Sequence, residues 1–262
     1  MKHFFTRHKP KPEKFAAVLF WLTVWQGVSI LLGNSILLPS PLAVAKTFYA
    51  LLQEQVFWHA VRFSFLRITA GFFAGMAAGV LCAALAYRYK VVRVLLAPLF
   101  TVVTAIPVAS FIILALVWLN SRSLSVFTAF IMVFPVIYMN ALRGLQAVDE
   151  KMLEMAKVFE VKLPDKIRYI YLPVWMPFFL SACKTALGLA WKSGIAAEII
   201  GLPIGSIGEQ LYLAKLYLYI PEMFSWTIAV ILLSACFEKL FLMLIAYLAK
   251  KSKGGLGFEG ND

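Results

Sequence analysis

Lys184, Lys192 and Glu198 lie inside one long apolar run, residues 174–200, where charge is expensive. On a helix Lys184, Gly188 and Lys192 share one row, while Glu198 continues the adjacent row Ala182, Ala186, Ala190 and Gly194. Ionisable groups at membrane depth serve a water-filled path or an ion pair. Two readings stand: the three groups line a path, or Lys192 pairs with Glu198 while Lys184 sits near the mouth of the span. Other chemistries lack their residues. His3, His8 and His59 all fall outside the apolar runs, and Cys82, Cys183 and Cys236 form no C-x-x-C or Cys/His cluster. No Ser/His/Asp set or paired carboxylates occur at depth. No G-x-x-x-x-G-K-[ST] loop is present either, so this chain is expected not to be an enzyme or hydrolyse ATP, and to bind no metal or cofactor.

The elements that must position these groups are membrane helices. The 262-residue chain is 62% hydrophobic and 15% charged, against roughly 45–50% and about 25% in soluble domains. Its net charge of +12 does not point to nucleic acid, because the basic residues are dispersed in short segments between apolar runs. Six spans are expected, near 15–32, 63–86, 91–119, 124–142, 174–200 and 224–248, in an all-α polytopic fold. The first is too long for a signal-peptide core, and the A-x-A-like Ala43-Val44-Ala45 is too far downstream, so it reads as a retained span. With both termini cytoplasmic, seventeen Lys and Arg fall inside and five outside.

One polar island, 149–173, breaks the second half of the chain and is cytoplasmic in this topology. It reads as two short helices. Asp149 and Glu150 favour the first N-terminus, and Met152, Met155, Ala156 and Phe159 make an apolar face. Pro164 suits the first turn of the second, with Ile167, Ile170 and Tyr171 on one side and Pro173 opening the next span. Too charged to enter lipid, the island must dock on protein.

Glu154-x-Ala156, then Glu160 ten residues before Ile170, then Ile170-x-Leu172-Pro173, resembles the cytoplasmic EAA loop of membrane permeases in binding-protein-dependent ABC importers. It departs from the pattern at Glu160, where the family has glycine, and at Met155, where it has alanine. Further segments are similar to the nitrate, sulfonate, taurine and thiamine-precursor importer group. These are the Leu38-Pro39-Ser40-Pro41 turn, the Ser64–Phe72 opening of the second span, Thr104-Ala105-Ile106-Pro107, and Trp191 with Glu198.

The resemblance implies a type I-like importer permease working by alternating access in the bacterial cytoplasmic membrane. It implies two ATP-binding subunits carrying the ATP and magnesium, an external substrate-binding protein, and a second permease copy, identical or divergent. Glu154, Ala156, Phe159, Glu160, Ile170, Leu172 and Pro173 would couple to the ATPase. Pro107, Lys184, Trp191, Lys192 and Glu198 would belong to the pathway for a small anionic or heterocyclic solute. The expected organisation is an N-terminal unit 1–62 with an outer amphipathic segment 42–59, a core 63–250, and a disordered tail 251–262. Gly71, Gly75 and Gly79 form a close-packing ridge, and the Gly-rich 201–208 loop leads to a short outer helix. Arg67 is an interfacial anchor or a partner for a buried carboxylate. A different class, a secondary transporter or channel coupled through buried Lys and Glu, would show inverted repeats, which the sequence lacks.

Overall fold

The computed structural model describes residues 12–254, and every regular element within them is helical. The basic segment 1–11 and residues 255–262 lie outside the described residues. In chain order the helices are α1 (Pro12–Leu32), α2 (Pro41–Leu51), α3 (Gln55–Arg88), α4 (Lys90–Ala105), α5 (Val108–Ala115), α6 (Ser121–Gln146), α7 (Glu150–Val158), α8 (Leu163–Lys166), α9 (Leu172–Gly201), α10 (Ile207–Leu216) and α11 (Ile220–Gly254). Because α11 continues to Gly254, the first residues of the expected tail are helical.

Local signals explain the boundaries. Ser40 caps α2, its hydroxyl accepting from the Ala43 N–H at 3.2 Å, and Pro41 occupies the first turn, where no N–H is needed. Asn120 caps α6 in the same way through Ser123. The amphipathic segment is shorter than expected: α3 begins at Gln55 and takes His59 and Arg62 into the long helix.

Four helices are long and apolar enough to cross a membrane: α3, α6, the continuous helix Leu163–Gly201, and α11. The expected third span, 91–119, is not one helix. α4 and α5 are bent by 105° at a break, and they make a fifth span only when taken together. Proline explains the break. Pro107 fixes its own φ, lacks an N–H and disfavours a helical Ile106, which adopts an extended φ of −75° and ψ of 130°. The apolar stretch Ala16–Leu32 of α1 is shorter than the four.

The centre is a packed triple of α3, α6 and α9. Between membrane helices, small residues permit close approach where hydrophobic burial supplies little drive. The ridge on α3 does this. A Cβ added to Gly75 would lie 2.8 Å from the Phe130 carbonyl oxygen and 2.9 Å from Val133 Cβ, and one on Gly79 2.8 Å from Ile137 Cβ. From α9 the row Ala182, Ala186, Ala190, Gly194 and Glu198 is buried, and Gly194 admits Ile68. Trp191 and Trp226 are fully buried with Phe72, Phe237 and Phe241 in the same core. Outward-facing side chains such as Phe20, Ile30, Ile231, Leu232 and Leu240 are exposed and apolar, as a lipid surface requires.

Candidate functional site

The loop 149–173 folds on the base of α9. Asp149 caps α7, its carboxylate accepting from the Lys151 N–H at 2.9 Å. α7 ends in a Schellman turn: the Glu160 N–H reaches the Lys157 carbonyl at 3.1 Å and the Val161 N–H reaches Ala156 at 2.9 Å. Such a turn needs a left-handed residue, and Glu160 supplies it with φ of +50°. The position where the family has glycine therefore keeps the glycine-like backbone, with a glutamate holding it at a cost of about 1–2 kcal/mol.

Within the apolar face, Ala156 is fully buried with Val148 and Ile170, while Met152, Met155 and Phe159 are exposed. Ala156 and the half-buried Leu153 carry the packing of α7 against Ile170 and Val174. Glu154 is exposed, Leu172 is half-buried, and Pro173 is exposed. One expectation for this loop is corrected: the second short helix opens with Pro164 in its first turn but is not separate from α9. α8 continues through a π-helical turn, Ile167–Tyr171, into α9, so Pro173 lies inside a continuous helix. Pro173 cannot donate to the Tyr169 carbonyl, and the widened turn relieves the clash of its ring with that group. Tyr87 of α3 packs edge-on against Tyr171 there, with ring centroids 6.0 Å apart.

The expected pathway residues separate. Pro107 sits at the α4–α5 break. Lys184 and Lys192 are exposed on α9, with Gly188 between them in open space, no atom lying within 4 Å of an added Cβ. Trp191 and Glu198 are buried inside the chain. The proposed Lys192–Glu198 pair is absent: the carboxylate points into the three-helix core, and the lysine to the surface.

Glu198 organises the end of the molecule opposite the loop. Its Oε2 accepts from Ser64 Oγ at 2.6 Å and from the Gly208 N–H at 3.3 Å. Ser64 Oγ in turn accepts from the Ile207 N–H at 3.0 Å, and Ser206 Oγ from the Glu209 N–H at 3.0 Å. These are the free N–H groups of the α10 N-terminus, which a helix cannot satisfy within itself. α10 is thus capped by its own Ser206, by Ser64 of α3 and by Glu198 of α9. Gly208 is required at this contact, since an added Cβ would fall 2.6 Å from the Ile199 nitrogen. Ser125, within reach of the Glu198 carboxylate, is fully buried beside it. The Arg67 guanidinium lies 4.3 Å from the centre of the Phe63 ring and donates to the Arg122 carbonyl. The Ser206 N-cap was readable from the Ser206-x-x-Glu209 signature, although the Glu209 carboxylate accepts from the Gly205 N–H rather than from that of Ser206. The link from Ser64 to Glu198, across 134 residues, had no sequence signal.

A bundle of long apolar helices with a polar loop at one end and a capped short helix at the other is the build of a multi-pass membrane protein. Residues 75–254 match the model of the family described as binding-protein-dependent transport system inner membrane component, and the chain belongs to that family. It is 29% identical over 188 residues to a putative aliphatic sulfonates transport permease protein of Bacillus subtilis, covering 70% of this chain and 67% of that one. It is 26% identical to the nitrate import permease protein of Synechococcus elongatus, covering 78% and 76%. The taurine transport system permease protein of Escherichia coli is 25% identical, covering 72% and 74%. In fold it is similar to a chain in the crystal structure of an amino acid ABC transporter with histidines. The TM-score is 0.57 at 16% identity, over 75% of this chain and 94% of that one. The chain is an ABC transporter permease of the nitrate, sulfonate and taurine import type, multi-pass in the inner membrane.

Proposed function

We propose that this chain is the membrane half of an ATP-driven importer that takes a small solute from an external binding protein. In this reading six spans place both termini and the loop 149–173 in the cytoplasm, and two ATP-binding subunits, carrying all the nucleotide and magnesium, push on that loop. A second permease copy, the same chain or a divergent one, completes the pathway, with Lys184 and Lys192 facing it. Trp191 and Glu198 act from behind that face, and Pro107 provides a bend in the wall.

The observation that carries the proposal is the loop itself. It is anchored at Ala156 and Ile170, yet leaves Val158 and Phe159 78% and 75% exposed beside charges that bar it from lipid. An ordered apolar surface in water is a docking surface for protein. Ala156 is a poor site for testing this, because it is buried and a bulky residue there breaks the loop's own packing. Val158→Glu with Phe159→Glu alters only exposed positions. Co-expressed with ATP-binding subunits from the same genome and purified in detergent, the native chain retains an ATPase, and the double variant retains roughly tenfold less or none. Failure of any ATPase to copurify with the native loop overturns the reading.

A further inference from the structure

We propose that the cleft between α3 and α6, at the end opposite the loop, holds an anionic phospholipid, its phosphodiester on Arg62 and Arg67 and its acyl chain running down α3. The inference goes beyond the importer reading and uses only the membrane placement of the helices. The cleft measures about 510 Å³, within the roughly 300–1,000 Å³ of small-ligand sites. His59, Arg62 and Arg67 line it together with the apolar Phe63, Leu66 and Ala70 of α3 and Val126 of α6. Its level on the helix fits a headgroup. α3 is 34 residues long, ~51 Å, against a hydrocarbon core of about 30 Å, so with equal overhang roughly 10 Å projects at each end. His59 and Arg62 lie ~6 and ~10 Å from Gln55, in that layer, and Arg67 lies ~18 Å along. Arg67 is level with the first turn of α6, where it meets the Arg122 carbonyl. Helical Cα–Cβ bonds lean toward the N-terminus, which turns its side chain back toward the same layer.

The cations are not spent within the chain. Among the described residues no carboxylate lies within ion-pair distance of His59, Arg62 or Arg67. Glu198 is near enough to feel the charge of Arg67, but its carboxylate is turned to Ser64 and Gly208 in the core. Arg67 is already held, its guanidinium on the Phe63 ring and one N–H on the Arg122 carbonyl, so its remaining donors meet a phosphate with little further loss of freedom. Below the cations the same helix face turns wholly apolar. Leu66, Ala70, Phe73 and Ala77 follow one another by a helical turn and are all exposed. Cations at the headgroup layer above a bare apolar strip at acyl depth complement a phospholipid, in which an anionic head and an apolar chain are joined in that order. A water-soluble acidic partner would match the arginines but leave the strip uncovered.

The test reads which lipid sits at Leu66. Photoreactive p-benzoylphenylalanine replaces Leu66 in the full-length chain, in nanodiscs where phosphatidylglycerol is the minor lipid beside phosphatidylcholine of matched acyl chains, and the crosslinked lipid is identified by its mass. Phosphatidylglycerol is expected on the order of tenfold above its mole share at Leu66, and at its mole share when the probe replaces Leu240, an exposed apolar position on α11. Arg62→Gln alters only an exposed side chain and should lower the enrichment by roughly fivefold, and adding Arg67→Gln should abolish it. Added inorganic phosphate should leave the enrichment unchanged. Crosslinking in bulk proportion at Leu66, or undiminished enrichment in the double variant, overturns the headgroup site. Loss of enrichment to inorganic phosphate assigns the cations to a free oxyanion and overturns it likewise, as does crosslinking to a second copy or to an added binding protein in place of lipid. None of these results bears on ATPase retention, so the two proposals fail separately.

Discussion

Replacing Glu198 with alanine should loosen the end of the molecule that α10 occupies. The substitution removes the acceptor for the Ser64 hydroxyl and for the Gly208 N–H. Ser64 can turn its proton elsewhere, but Gly208 belongs to the first turn of α10, whose N–H groups have no acceptor in their own helix. Side-chain hydrogen bonds between membrane helices average only about 0.6 kcal/mol, because the unpacked helices find other partners. A buried donor left unpaired costs about 1–3 kcal/mol. The second magnitude governs here, since Glu198 is 0% exposed and backbone geometry holds the Gly208 N–H in place. With a vacated side-chain volume added, the loss is about 2–4 kcal/mol. That corresponds to roughly 4–12 °C in Tm for a chain of this size.

Glu198→Gln keeps an acceptor oxygen at the same place and can donate to the neighbouring Ser125 hydroxyl, so it should lose under about 1 kcal/mol. Thermal unfolding of the purified full-length chain, followed by tryptophan fluorescence, reads both variants. Hydrogen exchange over 201–216 should rise in the alanine variant and not in the glutamine one. An alanine variant within 1 °C of the native chain, or a glutamine variant as damaged as alanine, refutes the capping argument.

Two further outcomes follow from the packing and the backbone. Gly75→Ala pushes a methyl against the Phe130 carbonyl and Val133, both held by α6, and should destabilise the chain by about 1–3 kcal/mol in the same thermal assay, whereas Gly188→Ala should be tolerated. Glu160→Gly releases the left-handed strain at the end of α7 and, after the entropy that glycine adds to the unfolded chain, should stabilise the loop by about 0.5–1 kcal/mol, measurable as slower proteolysis within 149–173.

Composition, hydropathy and small-residue spacing carried most of the architecture. A chain this apolar must satisfy its backbone internally, which means helices. The glycine row of α3 and the alanine row of α9 mark close-packing faces because only small side chains let helix backbones approach. The ends of the loop's helices were equally legible: Asp149 as the cap of α7 and Pro164 in the first turn of α8 are local signals, and local geometry depends on near neighbours in the chain. Even Glu160 was identified as the unusual position, although its left-handed backbone could be read only from coordinates.

Tertiary structure decided the rest, because contacts between distant residues have no period in the sequence. Helical rows correctly put Glu198 with Ala190 and Gly194, and Lys192 with Gly188. Which row faces the core depends on where α3 and α6 lie. Their packing buried the glutamate against Ser64 and left both lysines outside. The same packing brought α7 down on Ala156 and Leu153 and let α8 run on into α9 through a wide turn. The sequence alone determined that charges sit at membrane depth. Only the folded chain determined which charge staples the structure and which face outward.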